Sequence, residues 1–373
     1  MWKPVQNAST KVKLTDVYVY LLSVVLFIAL VCAYYNFFLE PVYELYTPDN
    51  PYNNIANIHD HLVYFERLLF IESNSNFIID VLSGNERIFD NITGIALFYF
   101  FIDKLTLGFL PIENLALFSN LILIVAIFVC HFYIVVRFFN NKKVMFYAFL
   151  NLPLIYLSQL INKDVIHILA LYLLLICYLR QSLLFFVLIV TFMTLFIRVQ
   201  FAFLLPIVFI THISNFSYAN RFILVLIVIS LMSAFLFEYV VGSSYQLPSR
   251  SLLYIKLINE KTFFLGSLLF LPLKFIQYCL ELVAYPRFIA GGNFMAIFSL
   301  PYIIYFLKNI NFLFKGKNFW YYNKFGGFLF CSFAILLVSP LTGVRYIILY
   351  LPLFVLSVCY YKEVGDKIRN PVN

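Results

Sequence analysis

The chain has 373 residues, 63% hydrophobic and only 12% charged, with a formal net charge of +8. Soluble domains carry about 25% charged residues. This apolar excess suits a bilayer and excludes a soluble fold, and the basic residues, set at the ends of apolar runs, read as topology signals rather than a nucleic-acid surface.

The first apolar run, 17–38, follows Lys3, Lys11 and Lys13. It resembles a signal peptide but is long and lacks an A-x-A site, so an uncleaved first helix is expected. Residues 40–90 differ in composition. They hold Glu40, Glu44, Asp49, Asp60, Glu66, Glu72, Asp80, Glu86 and Asp90, half of the 18 acidic residues, opposed only by Arg67 and Arg87. Leu62, Phe65, Leu68 and Leu69 recur at helical spacing, which predicts short amphipathic helices on the membrane surface. Residues 92–110 are apolar around Asp103–Lys104 and predict an interfacial helix ending near Gly108 and Pro111. Residues 40–112 thus form an extracytoplasmic loop inserted into a single polytopic domain covering 1–373.

A bilayer core of about 30 Å takes roughly 20 apolar residues to cross. Further spans are expected at 114–137, 144–161, 164–179, 183–198, 199–213, 222–241, 287–307, 325–341 and 344–361, giving an all-α membrane protein of about ten transmembrane helices. An alternative of equal number joins 183–213 into one tilted helix and adds 263–282. Lys and Arg cluster at 3/11/13, 137/142/143, 180, 221, 308/315/317/324 and 362/367/369. These fall on one side, which places both termini in the cytoplasm. The six cysteines lie in apolar runs without metal or disulfide spacing.

Charged groups inside spans are costly and usually face a cavity or a partner. In Asn162-Lys163-Asp164, either Lys163 and Asp164 pair in a solvated turn, or Lys163 binds a phosphate at the outer mouth of a cavity. Arg198, in Phe196-Ile197-Arg198-Val199-Gln200, has no acidic neighbour in sequence. It either snorkels to head groups or binds a ligand anion through its guanidinium fork. Arg345, in Thr342-Gly343-Val344-Arg345-Tyr346, either meets lipid phosphate at a capped turn or joins the same anion, and Arg287 is the weakest of the four. Asp60, in Asn57-Ile58-His59-Asp60-His61, is the carboxylate chosen as general base. His59 and His61 lack a third metal ligand, so no cofactor is indicated, a divalent metal staying open. His131, His167 and His212 read as packing or interfacial residues. No P-loop, G-x-G-x-x-G, H-E-x-x-H or G-x-S-x-G is present.

The order of these features resembles bacterial membrane glycosyltransferases of the GT-C type and the O-antigen and capsule polymerases (Wzy-type). One helix precedes an acidic loop and an interfacial helix; Asn162-Lys163-Asp164, the Arg198 break and the run Val344-Arg345-Tyr346-Ile347-Ile348-Leu349-Tyr350-Leu351-Pro352-Leu353 follow. In those families a Lys-Asp pair, an Arg-Pro step and a terminal Arg-Tyr-x-x-Pro-x-x-Pro run recur. Here Val199 replaces the Pro of the step and Leu349 the first Pro of the run. The resemblance implies sugar transfer from polyprenyl-phosphate or polyprenyl-diphosphate carriers at the outer face of the inner membrane. Asp60 would be the catalytic base, with Lys163, Asp164, Arg198, Arg345 and Tyr346 binding substrate. Implied partners are the lipid-linked sugar or oligosaccharide, membrane lipid and other glycan-assembly proteins, with no nucleic acid. Lys163, Arg198 and Arg345 are expected to converge on one outward cavity. A transporter or flippase of lipid-linked glycan is the competing class, disfavoured by the acidic loop and the lack of a visible internal repeat.

Overall fold

The computed structural model describes residues 12–39, 58–74, 76–83, 92–110, 112–212, 217–242, 261, 266–291, 294–320, 323–338 and 344–369. Every regular element among them is helical. Among the described residues, four helices are long and apolar enough to cross a membrane: Leu14–Phe37, Asn114–Phe138, Met295–Lys315 and Arg345–Val364. The first presents a broad apolar face. Tyr20, Phe27 and Val31 are buried, whereas Leu14, Tyr18, Leu21, Leu22, Val25 and Leu26 form an exposed apolar surface that water would not tolerate.

The chain divides into two compact units, one of Gln6–Val199 with Pro286–Tyr302, the other chiefly of Gln200–Tyr285 and Ile303–Asn373. In the first unit the helices are α1 (Leu14–Tyr34), α2 (Ile58–Ser73), α3 (Phe77–Leu82), α4 (Thr93–Leu105), α5 (Ile112–Phe138), α6 (Pro153–Leu157), α7 (Asp164–Arg180) and α8 (Leu183–Phe192). Helix α5 packs along α7, α2 along α4, and α8 against α7. Tyr20 anchors α1 by donating to the Phe128 carbonyl at 2.8 Å, beside the rings of Phe132 and Phe149. Helix α4 ends three residues earlier than Gly108, the chain turning away through Leu107 and Gly108, both at positive φ.

The expected span 144–161 is not a continuous helix. A 3-10 segment, Lys142–Leu150, leads through Asn151 to the five-residue α6, and residues 158–163 follow without regular structure. Asn151, Pro153, Ser158, Gln159 and Asn162 explain the break. Pro153 has no N–H and fits only the first turn of α6, and short polar side chains compete for backbone groups. Lys142 donates to the carbonyls of Val136, at 2.8 Å, and Phe139. It therefore caps the C-terminus of α5, where a cation meets the negative end of the helix dipole.

The second unit contains α9 (Leu204–His212), α10 (Tyr218–Gly242), α11 (Gly266–Ala284), α13 (Lys317–Trp320), α14 (Lys324–Val338) and α15 (Val344–Arg369), while α12 (Phe294–Asn309) spans the division at Tyr302. Helix α14 packs along α15 and also meets α9 and α10. The helix over 266–284 occupies the stretch that only the alternative arrangement counted as a span. Here too cations occupy helix ends: Arg221 donates to the Thr211 carbonyl at 3.1 Å and Lys274 to the Leu337 carbonyl at 2.8 Å. Lys142 and Arg221, which look like topology signals, thus serve as helix caps as well.

Candidate functional site

The irregular 158–163 segment of the first unit is deeply buried, with Ser158 and Gln159 fully covered and Asn162 nearly so. Backbone without regular structure at membrane depth must find its hydrogen bonds inside the protein. Two asparagines supply them. Asn120 on α5 donates to the carbonyls of Ser158 at 2.9 Å and Leu160 at 3.0 Å. Asn162 donates to the carbonyls of Leu157 and Leu160, and its side-chain oxygen accepts from the Asp164 N–H at 2.9 Å. That last bond starts α7, as a side-chain oxygen does at many helix N-termini.

Lys163 therefore stands at the N-terminus of α7, half-buried, and Asp164 is its first residue, fully covered. The acidic partner that Arg198 lacks in sequence comes from this turn. Arg198 Nη2 donates to Asp164 Oδ1 at 2.7 Å, with the arginine side chain 10% exposed and the aspartate not at all. Helix α8 passes into a π turn, Met193–Ile197, in which the Arg198 N–H reaches back to Met193 O at 2.7 Å. Arg198 itself is extended, and a 3-10 turn, Val199–Phe203, follows. The π turn breaks the helix next to the charge, a position where such bulges often mark function. The chain is broken at Arg198, as the broken-pair reading of 183–213 has it and the single-helix reading does not, in an α–π–extended–3-10–α run.

The structure brings together Lys163, Asp164 and Arg198. His167, one turn beyond Asp164, is buried among them and feels the charges of all three. The sequence reading treated His167 as packing; its spacing of three from Asp164, which puts both on one helix face, was the available signal. Arg345 and Tyr346 belong to the second unit, each half-buried in the first turn of α15. Arg287 is exposed. Asp60 falls in the first turn of α2, and its side chain lies outside the described residues.

The loop carboxyl the structure singles out is Glu72, near the end of α2. Its pKa is raised above the ordinary carboxylate value, first by partial burial and then by the Asp103 charge, with Lys104 pulling it back. Lys104 pairs with Asp103 at 3.2 Å. Among the described residues no group of three or more His, Cys, Asp or Glu is placed to hold a metal ion.

Lys163 and Arg198 bring two cationic side chains, and Asp164 one carboxylate, to the start of α7. The N-terminus of a helix adds roughly half a positive charge. Such a site attracts an anion. Comparison of the chain with protein-family models, curated proteins and solved structures gave no match.

Proposed function

We propose that the chain is a membrane glycosyltransferase with a GT-C-like arrangement of about ten transmembrane helices and cytoplasmic termini. It acts on polyprenyl-linked sugars at the outer face of a bacterial inner membrane, as a polymerase of polysaccharide repeat units. The observation that carries this reading is the buried Asp164–Arg198 pair beside Lys163 at the start of an apolar helix. Cationic side chains at a helix N-terminus suit an anionic ligand, and a carrier phosphate is an anion whose lipid tail suits apolar helices. Lys163 holds the phosphate, Arg198 is steered by Asp164, and both stabilise negative charge on the departing carrier. Arg345 and Tyr346 bind substrate, and Asp60 takes the proton from the acceptor hydroxyl.

A second reading, transfer of a single sugar from a polyprenyl monophosphate, is favoured by one observation. Arg198 already donates to Asp164, so part of its guanidinium fork is committed and one phosphate matches the rest better than two. Complementation of a deletion strain tests both. Lys163→Gln is expected to insert at normal levels but fail to extend lipid-linked glycan. Wild-type rescue that adds one sugar selects the second reading, and full-length glycan with Lys163→Gln contradicts both.

A further inference from the structure

Helix α4 touches both arms of the charged cluster. Near its start, Gly94 lies so close to the π turn that an added Cβ would sit 2.0 Å from the Phe196 carbonyl oxygen, two residues before Arg198. Five residues on, the fully buried Tyr99 donates to Asn120 Oδ1 at 3.0 Å. Asn120 holds the 158–160 turn through its amide nitrogen. The phenol fixes which way that amide faces: with Tyr99 donating to its oxygen, the nitrogen is turned toward the two carbonyls. A reversed amide would set oxygen against carbonyl oxygen. The start of α4 is tied in turn to α2, because Arg67 Nε donates to Thr93 Oγ1 at 3.0 Å while its guanidinium stacks on Phe70.

We propose that Tyr99 is a positioning residue for the anion site. Through Asn120 it holds the 158–160 turn, and with it the segment that presents Lys163 and Asp164 to Arg198. Its role in transfer rests on the functional reading above; its hold on the segment does not.

The test uses the full-length chain in detergent, as wild type, Tyr99→Phe and Tyr20→Phe. The last removes another buried phenol oxygen, one that donates to the Phe128 carbonyl, so it controls for general loss of stability. Backbone deuterium exchange is followed over 158–164, and binding of a short-chain polyprenyl phosphate is titrated. Tyr99→Phe is expected to speed exchange there roughly five- to tenfold, the scale of one lost hydrogen bond, and to weaken binding by a similar factor. Tyr20→Phe should change neither. Unchanged exchange over 158–164 in Tyr99→Phe overturns the proposal, as does faster exchange with binding as tight as wild type. Faster exchange in a protein whose wild type does not bind the lipid upholds the positioning of the segment and refutes the functional reading instead. Should Tyr99→Phe not fold, Asn120→Ala is measured in its place with the same expectations.

Discussion

Arg198→Ala is expected to lower stability by roughly 3–5 kcal/mol, because it leaves the Asp164 carboxylate buried without its guanidinium. Asp164→Ala should cost a comparable amount by stranding the cation. The double replacement Asp164→Leu/Arg198→Met removes both charges and is expected to recover most of the loss, since a buried ion pair is often no more stable than apolar side chains of similar size. Thermal unfolding of these proteins in detergent, with the single variants Asp164→Leu and Arg198→Met closing a double-mutant cycle, measures the coupling. Two single variants each within about 1 kcal/mol of wild type would mean the pair behaves as a solvated surface bridge, and the buried site would be lost. The double variant also separates stability from activity: it should fold and yet transfer nothing. Loss of activity in Arg198→Ala alone is ambiguous, because that protein is destabilised as well.

Gly94→Ala should reverse the usual sign of a glycine-to-alanine change. In an unobstructed helix interior this substitution gains roughly 1 kcal/mol. Here the added Cβ would meet the Phe196 carbonyl oxygen at 2.0 Å and its carbonyl carbon and Cα at 2.6 Å. All are backbone atoms, so no rotamer relieves them and α4 must move off the π turn. Overpacking of this kind costs about 1–3 kcal/mol and sometimes more. Gly108→Ala is a useful contrast. Nothing lies within 4 Å of its Cβ, but its φ is +69°, so the expected cost is left-handed strain of about 1–2 kcal/mol with no effect on the anion site. A higher melting temperature for Gly94→Ala would rule out the close approach.

The long apolar runs were legible. Helices α1 and α5 start and end within a few residues of the expected 17–38 and 114–137, because unbroken apolar sequence has one economical solution in a bilayer. Helix α2 followed from Leu62, Phe65, Leu68 and Leu69, of which Leu68 is fully buried. The broken stretch at 144–161 was harder. Its hydropathy suits a span, and only the scattered amides at 151, 159 and 162 and Pro153 carry the warning. The pairing of Asp164 with Arg198 had no local signature at all. Thirty-four residues separate them, and nothing in either segment names the other. What could be read was the oddity of each alone: a cation deep in an apolar run, and a charged turn between two such runs.

The central claim is that Lys163 and the Asp164–Arg198 pair form a site for a carrier phosphate. It is tested most directly by the affinity of the purified full-length chain for a short-chain polyprenyl phosphate, wild type against Lys163→Gln. Lys163 is half-buried and is not part of the Asp164–Arg198 pair, so its neutralisation is expected to leave that pair in place. The account predicts saturable binding by the wild type, weakened about tenfold in the variant, or 1.4 kcal/mol. Equal affinity in the two proteins, or no saturable binding by either, would contradict it.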